Sequence, residues 1–191
     1  MTKDELRKKY KILRKKFDEK TIDGLSRASF SILFNNFELN AKNVGIFLPI
    51  PTKNEPNTFL LLTEFFSDSI NYFAPKIDTA LDEMNFYSIR QINQIEFGLY
   101  RIPEPISIRK IEFSQLDILL IPLLCFDFEG NRVGYGKGYY DRLLKNAPNK
   151  LLKIGISLFH EPEQIDDINS MDVALDYCIT PNKLYKFGKI Q

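Results

Sequence analysis

Apolar and polar positions in the amino-terminal part of the chain alternate with the period of an α-helix. An amphipathic helix over residues 3–18 is predicted by apolar residues at this spacing, Leu6, Tyr10, Leu13 and Phe17. The same pattern predicts a second helix over roughly 22–37. On the first helix, Lys3, Arg7 and Arg14 are separated by four and seven residues, so they share one side and could point at one ligand.

Short apolar runs without alternation follow the two helices, and they predict buried strands. These runs lie at 44–48, 72–74, 86–89, 117–126, 153–157 and 177–180, and further helices are predicted at 58–66 and 139–145. Pro75 is expected to stop the strand at 72–74. Helices that alternate with wholly apolar strands favour the α/β class: a three-layer α/β/α sandwich, Rossmann-like, with a largely parallel (mixed) central sheet, built as a single domain over 1–191.

Composition narrows the class of protein. The chain has 191 residues, of which 44% are hydrophobic, and its longest apolar run, 118–126, contains Pro122 and is too short to span a bilayer. No secretory signal is recognisable, and Cys125 and Cys178 lie in apolar stretches typical of buried thiols, so we expect a cytoplasmic protein with no membrane contact.

Charge is unevenly distributed. Residues 1–16 carry eight lysine and arginine residues against Asp4 and Glu5, a local charge of +6, which leaves about −5 for the rest of a chain of net charge +1. A net charge near zero argues against nucleic acid as a partner. A basic end on a mildly acidic body suits a local polyanion such as a triphosphate, although most of these lysines belong to a solvated helix face.

A glycine-rich stretch carries the clearest chemistry. Gly134, Gly136 and Gly138 alternate just before a predicted helix, so several backbone N–H groups could converge on one anion. Lys137 could place its ammonium on a phosphate oxygen. Asp141 could cap the helix or hold Mg²⁺, and its position leaves both roles open. The stretch matches neither GxxxxGK[ST] nor GxGxxG.

The residues 132–142, RVGYGKGYYDR, resemble the signature of the 5-formyltetrahydrofolate cyclo-ligases, also called methenyltetrahydrofolate synthetases. Further matches are spread along the chain: Lys3, Leu6-Arg7, Pro49-Ile50, Asn54-Glu55, Pro75-Lys76, Pro103-Glu104-Pro105, Ile121-Pro122, Phe126-Asp127, Asp172 and Asp176. The resemblance implies ATP- and Mg²⁺-dependent conversion of 5-formyltetrahydrofolate to 5,10-methenyltetrahydrofolate, with release of ADP and phosphate. We expect a monomer whose partners are these two substrates.

The resemblance also implies roles for single residues. Lys137 and Arg132 would neutralise charge during phosphoryl transfer, and Asp141 and Asp176 would hold Mg²⁺. Ile50, Glu55 and Tyr139 would contact the folate. ATP would be bound by residues of the first helix and the glycine stretch: Lys3, Arg7, Arg132, Val133, Gly134, Tyr135, Gly136, Lys137, Gly138, Tyr139 and Tyr140.

Other functions remain open from the residues alone. A sugar-phosphate isomerase or an acyl-transferase on a similar scaffold would use the glycine stretch for a phosphate without turning over ATP. A non-catalytic nucleotide-binding module would use the basic first helix. His160 and Glu161 depart from the family pattern, and we interpret His160 as a surface loop residue.

Overall fold

The computed structural model describes residues 1–98 and 101–188. Within them lie three α-helices: α1 (Lys3–Arg14), α2 (Glu19–Asn36) and α3 (Tyr139–Leu144). The strands are β1 (Asn43–Gly45), β2 (Asn71–Asp78), β3 (Glu83–Ile89), β4 (Ile95–Phe97), β5 (Pro103–Pro105), β6 (Lys110–Ile111), β7 (Ile118–Pro122), β8 (Cys125–Phe126), β9 (Arg132–Val133), β10 (Leu152–Ile156), β11 (Tyr177–Ile179) and β12 (Leu184–Lys186). In the same ranges, no helix is long and apolar enough to cross a membrane.

The central sheet is mixed and largely parallel. Its strand order is β12-β11-β10-β7-β1-β2-β3-β6, and the five strands from β11 to β2 run parallel to one another. Antiparallel pairing is confined to the two ends of the sheet, where β12 pairs with β11 and β3 pairs with β2 and β6. Two separate hairpins, β4–β5 and β8–β9, complete the strand pairing of the described residues. The predicted sheet class is confirmed.

Both faces of the sheet are covered by apolar side chains, which gives the three predicted layers. Along β7, Ile118 and Leu120 face a cluster that contains Phe30 and Leu33 of α2. The alternate residues Leu119 and Ile121 face a second cluster that contains Leu144 of α3. Each of these side chains is at most 4% exposed, and full burial of one such side chain contributes about 1.5–3 kcal/mol.

Helix α1 packs on the β8–β9 hairpin rather than on the sheet. Its residues Leu6 and Tyr10 form a third cluster with Leu124, Cys125 and Val133. Thr2 and Glu5 bond to each other's backbone N–H groups in a capping box that fixes where α1 begins. The glycine stretch follows β9 directly, so this packing brings the basic face of α1 beside it.

Three predicted elements differ from the structure. The strand predicted at 72–74 continues through Pro75. Phe73 O accepts the last backbone hydrogen bond on the side of β2 that faces β1. Pro75 faces the same side beyond that bond, so the N–H that proline lacks would have had no strand partner there. The run 117–126 is divided into β7 and β8, so a hairpin separates the central strand from the glycine stretch. The segment predicted as a helix at 58–66 forms a 3-10 helix at Thr58–Leu62.

Candidate active site

The glycine loop, residues 134–138, connects β9 to α3. Gly136 and Gly138 have φ angles of +95° and +69°, which L side chains rarely adopt. A Cβ at Gly136 would lie 3.3 Å from Arg7 Nε, whereas a Cβ at Gly134 would meet no heavy atom within 4 Å. The fold therefore requires glycine at 136, but it leaves empty space beside the backbone of Gly134.

Helix α1 presents Arg7 to this loop, and the four-residue spacing places Lys3 on the same side of the helix. Arg7 Nε donates to Gly134 O at 3.0 Å, and its guanidinium also pairs with Asp4. One turn earlier, Lys3 is buried at 8% exposure, and its ammonium pairs with Asp172. Lys3 and Arg7 thus reach the loop and the segment before β11 from one side of the helix.

A second ion pair lies beneath the loop. Arg132 is buried and binds Asp141 through Nη2 to Oδ1 at 2.6 Å, and it also donates to Val173 O. Burial lowers the pKa of the Arg132 guanidinium, while the negative charges of Asp141 and Asp172 act in the opposite direction. Burial alone would raise the pKa of Asp172, but hydrogen bonds from Lys3 and the Asn169 N–H outweigh it, so this pKa is lowered. Two cations and two carboxylates therefore meet as a neutral set, Lys3, Arg132, Asp141 and Asp172.

The expected pairing of Asp141 with Asp176 needs correction. Asp176 precedes β11 at the amino end of the parallel strands, where its carboxylate binds the N–H and the ammonium of Lys153 at 2.7 and 3.0 Å. Asp172, four residues earlier, is the carboxylate that reaches Lys3 and acts on Arg132. Sequence spacing could not separate these two aspartates, because residues 157–176 cross the sheet without a regular helix or strand.

Tyr135 joins the loop to two other segments. Its hydroxyl accepts from Arg14 Nη1 at 2.7 Å and donates to Lys53 O at 3.3 Å. Arg14 is 1% exposed and also donates to Leu123 O, just after β7. Burial raises the pKa of Tyr135 to about 12, so the phenol stays neutral. Arg14, predicted on the ligand-facing side of α1, is instead buried beneath the loop.

Ile50 and Glu55 lie together, as expected for two residues that contact one ligand. Ile50 N–H donates to Glu55 Oε2 at 2.8 Å, and burial raises the pKa of Glu55. Both residues line a groove of about 330 Å³, together with Pro49, Asn57 and Phe59. Apolar walls with a few carboxylate and amide groups suit a flat heterocycle with hydrogen-bonding edges.

The remaining predicted residues occupy different environments. Lys137 is exposed on the loop, and Tyr139 is half-buried with the Arg142 guanidinium 4.8 Å from its ring centre. Val133 is buried with α1, and Tyr140 packs against the cluster that contains Leu144, so both contribute packing. His160 is exposed, in agreement with its interpretation as a surface residue.

Comparison with known proteins identifies the family of this chain. The chain matches the model of the 5-formyltetrahydrofolate cyclo-ligase family over residues 1–181. It is 26% identical over 153 residues to the 5-formyltetrahydrofolate cyclo-ligase of Escherichia coli, covering 77% of this chain and 82% of that protein. The NMR structure of 5,10-methenyltetrahydrofolate synthetase from Aquifex aeolicus superposes with a TM-score of 0.79 at 28% identity, over 100% of this chain and 95% of that one. The corresponding synthetase of Mycoplasma pneumoniae gives 0.69 at 25% identity, over 95% and 100%.

Proposed function

This chain belongs to the 5-formyltetrahydrofolate cyclo-ligase family, and we propose that it converts 5-formyltetrahydrofolate to 5,10-methenyltetrahydrofolate with ATP and Mg²⁺. The observation that carries the proposal is the meeting of the glycine loop with the ion pairs Lys3–Asp172 and Arg132–Asp141. A glycine-rich loop beside two cations and two carboxylates matches a metal-bound triphosphate.

The neutral set supports this proposal because its cations match the phosphate groups of ATP and its carboxylates match the bound Mg²⁺. Lys3 and Arg132 carry the charge that phosphate oxygens need, and Asp141 and Asp172 supply the carboxylate oxygens that Mg²⁺ prefers. The two ion pairs neutralise Lys3 and Arg132, so neither of these cations is left without a partner. Binding would exchange the internal ion pairs for contacts with the ligand.

Asp141 and Asp172 are therefore the residues that would hold Mg²⁺. Their donor set fits, since hydrogen bonds lower the pKa of Asp172, and Asp141 Oδ1 already accepts a hydrogen bond from the Arg132 cation at 2.6 Å. When bound, the metal would supply positive charge to the phosphate oxygens. Mg²⁺ commonly retains water and phosphate ligands beside one or two carboxylates.

The chain's own residues would mainly position the two substrates and neutralise the charge on the transferred phosphoryl group. The formyl oxygen would attack the γ-phosphorus as the bond to the β-phosphate oxygen breaks and ADP leaves. N10 would then attack the former formyl carbon, the carbon–oxygen bond would break as the phosphate departs with the oxygen, and the N10 proton would pass to that phosphate. Arg132, together with exposed Lys137, would offset the negative charge on the transferred group. Ile50, Glu55 and Tyr139 would orient the folate so that its formyl oxygen faces the γ-phosphate.

A direct assay separates this function from its competitors. Purified protein is mixed with 5-formyltetrahydrofolate, Mg²⁺ and ATP, and the absorbance of the methenyl product is followed while ADP is measured in parallel. We expect one ADP for each methenyl product, and no product when ATP or Mg²⁺ is omitted. A sugar-phosphate isomerase, an acyl-transferase or a nucleotide-binding module would give no methenyl signal.

A further inference from the structure

Arg142 of α3 lies outside the set of residues that would hold ATP, Mg²⁺ or folate, yet it makes three contacts beside them. Its Nη1 donates to Lys137 O in the glycine loop at 2.9 Å, and its Nη2 pairs with Asp82 Oδ2 at 3.0 Å. The guanidinium also lies over the ring of Tyr139, with 4.8 Å between Cζ and the ring centre. One exposed side chain therefore joins the glycine loop, a tyrosine expected to contact folate, and the turn between β2 and β3.

The hydrogen bond to Lys137 O fixes the peptide group between Lys137 and Gly138. This peptide is trans, and the C=O and N–H of a trans peptide point in opposite directions, so the Gly138 N–H points away from Arg142. Within the part of the chain that the structure describes, no group accepts a hydrogen bond from this N–H. The guanidinium also lies against the turn itself, since a Cβ at Gly138 would be 3.2 Å from Arg142 Nη1. Arg142 thus directs a donor that a ligand could use.

Asp82 holds the guanidinium in this place. It lies in the turn after β2, and β2 is one of the parallel strands of the sheet. Ligands of such sheets bind beyond the carboxyl ends of the strands, so this turn lies on the side of the sheet where a ligand is expected. An exposed arginine without a partner populates many rotamers. The ion pair with Asp82 therefore selects the rotamer that reaches Lys137 O.

We propose that Arg142 is a positioning residue for phosphoryl transfer and that Asp82 acts through it. Held by Asp82, the guanidinium orients the Lys137–Gly138 peptide so that the Gly138 N–H faces the phosphates of ATP, and it holds the Tyr139 ring beside the folate. Because both terminal nitrogens of Arg142 already have partners, its effect comes from geometry and not from a further charge on the phosphates. This inference rests on the proposed function and adds the β2–β3 turn to the segments that determine the rate.

The experiment compares wild type with Arg142→Met, Arg142→Lys and Asp82→Asn in the methenyl assay while ATP is varied. We expect kcat/KM for ATP to fall about tenfold in both Arg142 variants, which corresponds to about 1.4 kcal/mol, and about threefold in Asp82→Asn. Lysine keeps the charge, but one ammonium cannot replace a planar group that bonds Lys137 O and Asp82 and stacks on Tyr139. Asparagine tolerates the φ of +53° at position 82. Melting temperatures should stay within about 2 °C of wild type, because exposed ion pairs contribute little to stability.

A double-variant cycle tests whether Asp82 acts through Arg142. Addition of Asp82→Asn to Arg142→Met should then cause no further loss of kcat/KM. Arg90→Met is the matched control, because Arg90 forms another exposed ion pair, with Asp68 at 3.4 Å. Arg90 follows Ile89, which pairs with Tyr72 at the amino end of β2, so it lies at the opposite edge of the sheet. This variant should leave kcat/KM for ATP unchanged.

Several outcomes would overturn the positioning role. Wild-type kinetics in Arg142→Lys would show that charge alone is enough, and additive losses in the double variant would show that Asp82 acts independently. A fall in Tm of more than about 5 °C together with the loss of rate would make Arg142 a structural residue. If Arg142→Met folds poorly, Arg142→Lys and Asp82→Asn, assayed well below their melting temperatures, decide the question. If wild type forms no methenyl product, the proposed function fails; if wild type is active and the variants match it, only the positioning role fails.

Discussion

Alanine at Gly134 tests whether glycine is needed at this position for binding of a ligand or for stability of the fold. A Cβ at this position meets no heavy atom within 4 Å, and its φ lies outside the left-handed region. We therefore expect Gly134→Ala to fold without strain and to gain up to about 1 kcal/mol, because glycine loses more freedom on folding. For a chain of this size the gain corresponds to a Tm unchanged or raised by up to about 4 °C.

The neighbouring glycine should behave differently. Gly136 has a φ of +95°, and a Cβ there would be 3.3 Å from Arg7 Nε. Alanine in this conformation costs roughly 1–2 kcal/mol, which lowers Tm by about 2–8 °C for this chain length. Loss of activity in Gly136→Ala could follow from strain alone, so Gly134→Ala is the informative variant.

The assay is the initial rate of methenyl formation against ATP concentration, with thermal melting in parallel. If phosphate groups occupy the space beside Gly134, its new methyl group should raise KM for ATP at least tenfold, about 1.4 kcal/mol, without loss of Tm. Gly24→Ala, on the exposed side of α2 where a Cβ also meets nothing, is the control and should leave KM unchanged. An unaltered KM for ATP in Gly134→Ala would refute the idea that a ligand approaches this backbone.

Further variants test single contacts. Arg14→Gln should lower the free energy of unfolding by about 3 kcal/mol in urea denaturation, because the bonds to Tyr135 and Leu123 are lost; a loss below about 1 kcal/mol would show that the buried charge is not needed. Glu55→Gln should become more stable relative to wild type as pH rises above the ordinary glutamate pKa of 4.5, since a raised folded pKa makes wild type lose stability in that range; melting curves at pH 5 and 8 with the opposite trend would contradict this. Asp172→Asn should raise the Mg²⁺ concentration needed for half-maximal rate severalfold, and a titration equal to that of wild type would remove Asp172 from the metal site. Asp176→Asn should leave the Mg²⁺ titration unchanged and lower the free energy of unfolding, because the ion pair with Lys153 is lost.

Periodic and wholly apolar segments could be predicted because the spacing of apolar residues within each segment indicates which residues are buried. Helices α1 and α2 and the central strands lie within a few residues of their expected positions. The continuation of β2 through Pro75 depends on where β1 ends, and the β8–β9 hairpin depends on packing against α1. Both are properties of neighbouring elements, which local sequence does not contain.

The residues of the candidate site could likewise be predicted only in part. The placement of Lys3 and Arg7 on one side of α1 follows from helical spacing, whereas their approach to one nucleotide with the glycine loop was implied by the family resemblance. The choice between Asp172 and Asp176 was not, because the segment before β11 has no periodic pattern to fix which aspartate reaches Arg132. Arg14 was placed on the correct side of α1, but its burial depends on Tyr135 and Leu123, which are distant in sequence.

The most direct test is a crystal structure of the protein with Mg²⁺ and a non-hydrolysable ATP analogue. We predict that the phosphates contact the N–H groups of the glycine loop and the Lys3 and Arg132 side chains, with the metal between the phosphates and Asp141 and Asp172. Nucleotide bound elsewhere, with the pairs Lys3–Asp172 and Arg132–Asp141 still closed, would contradict the proposed site.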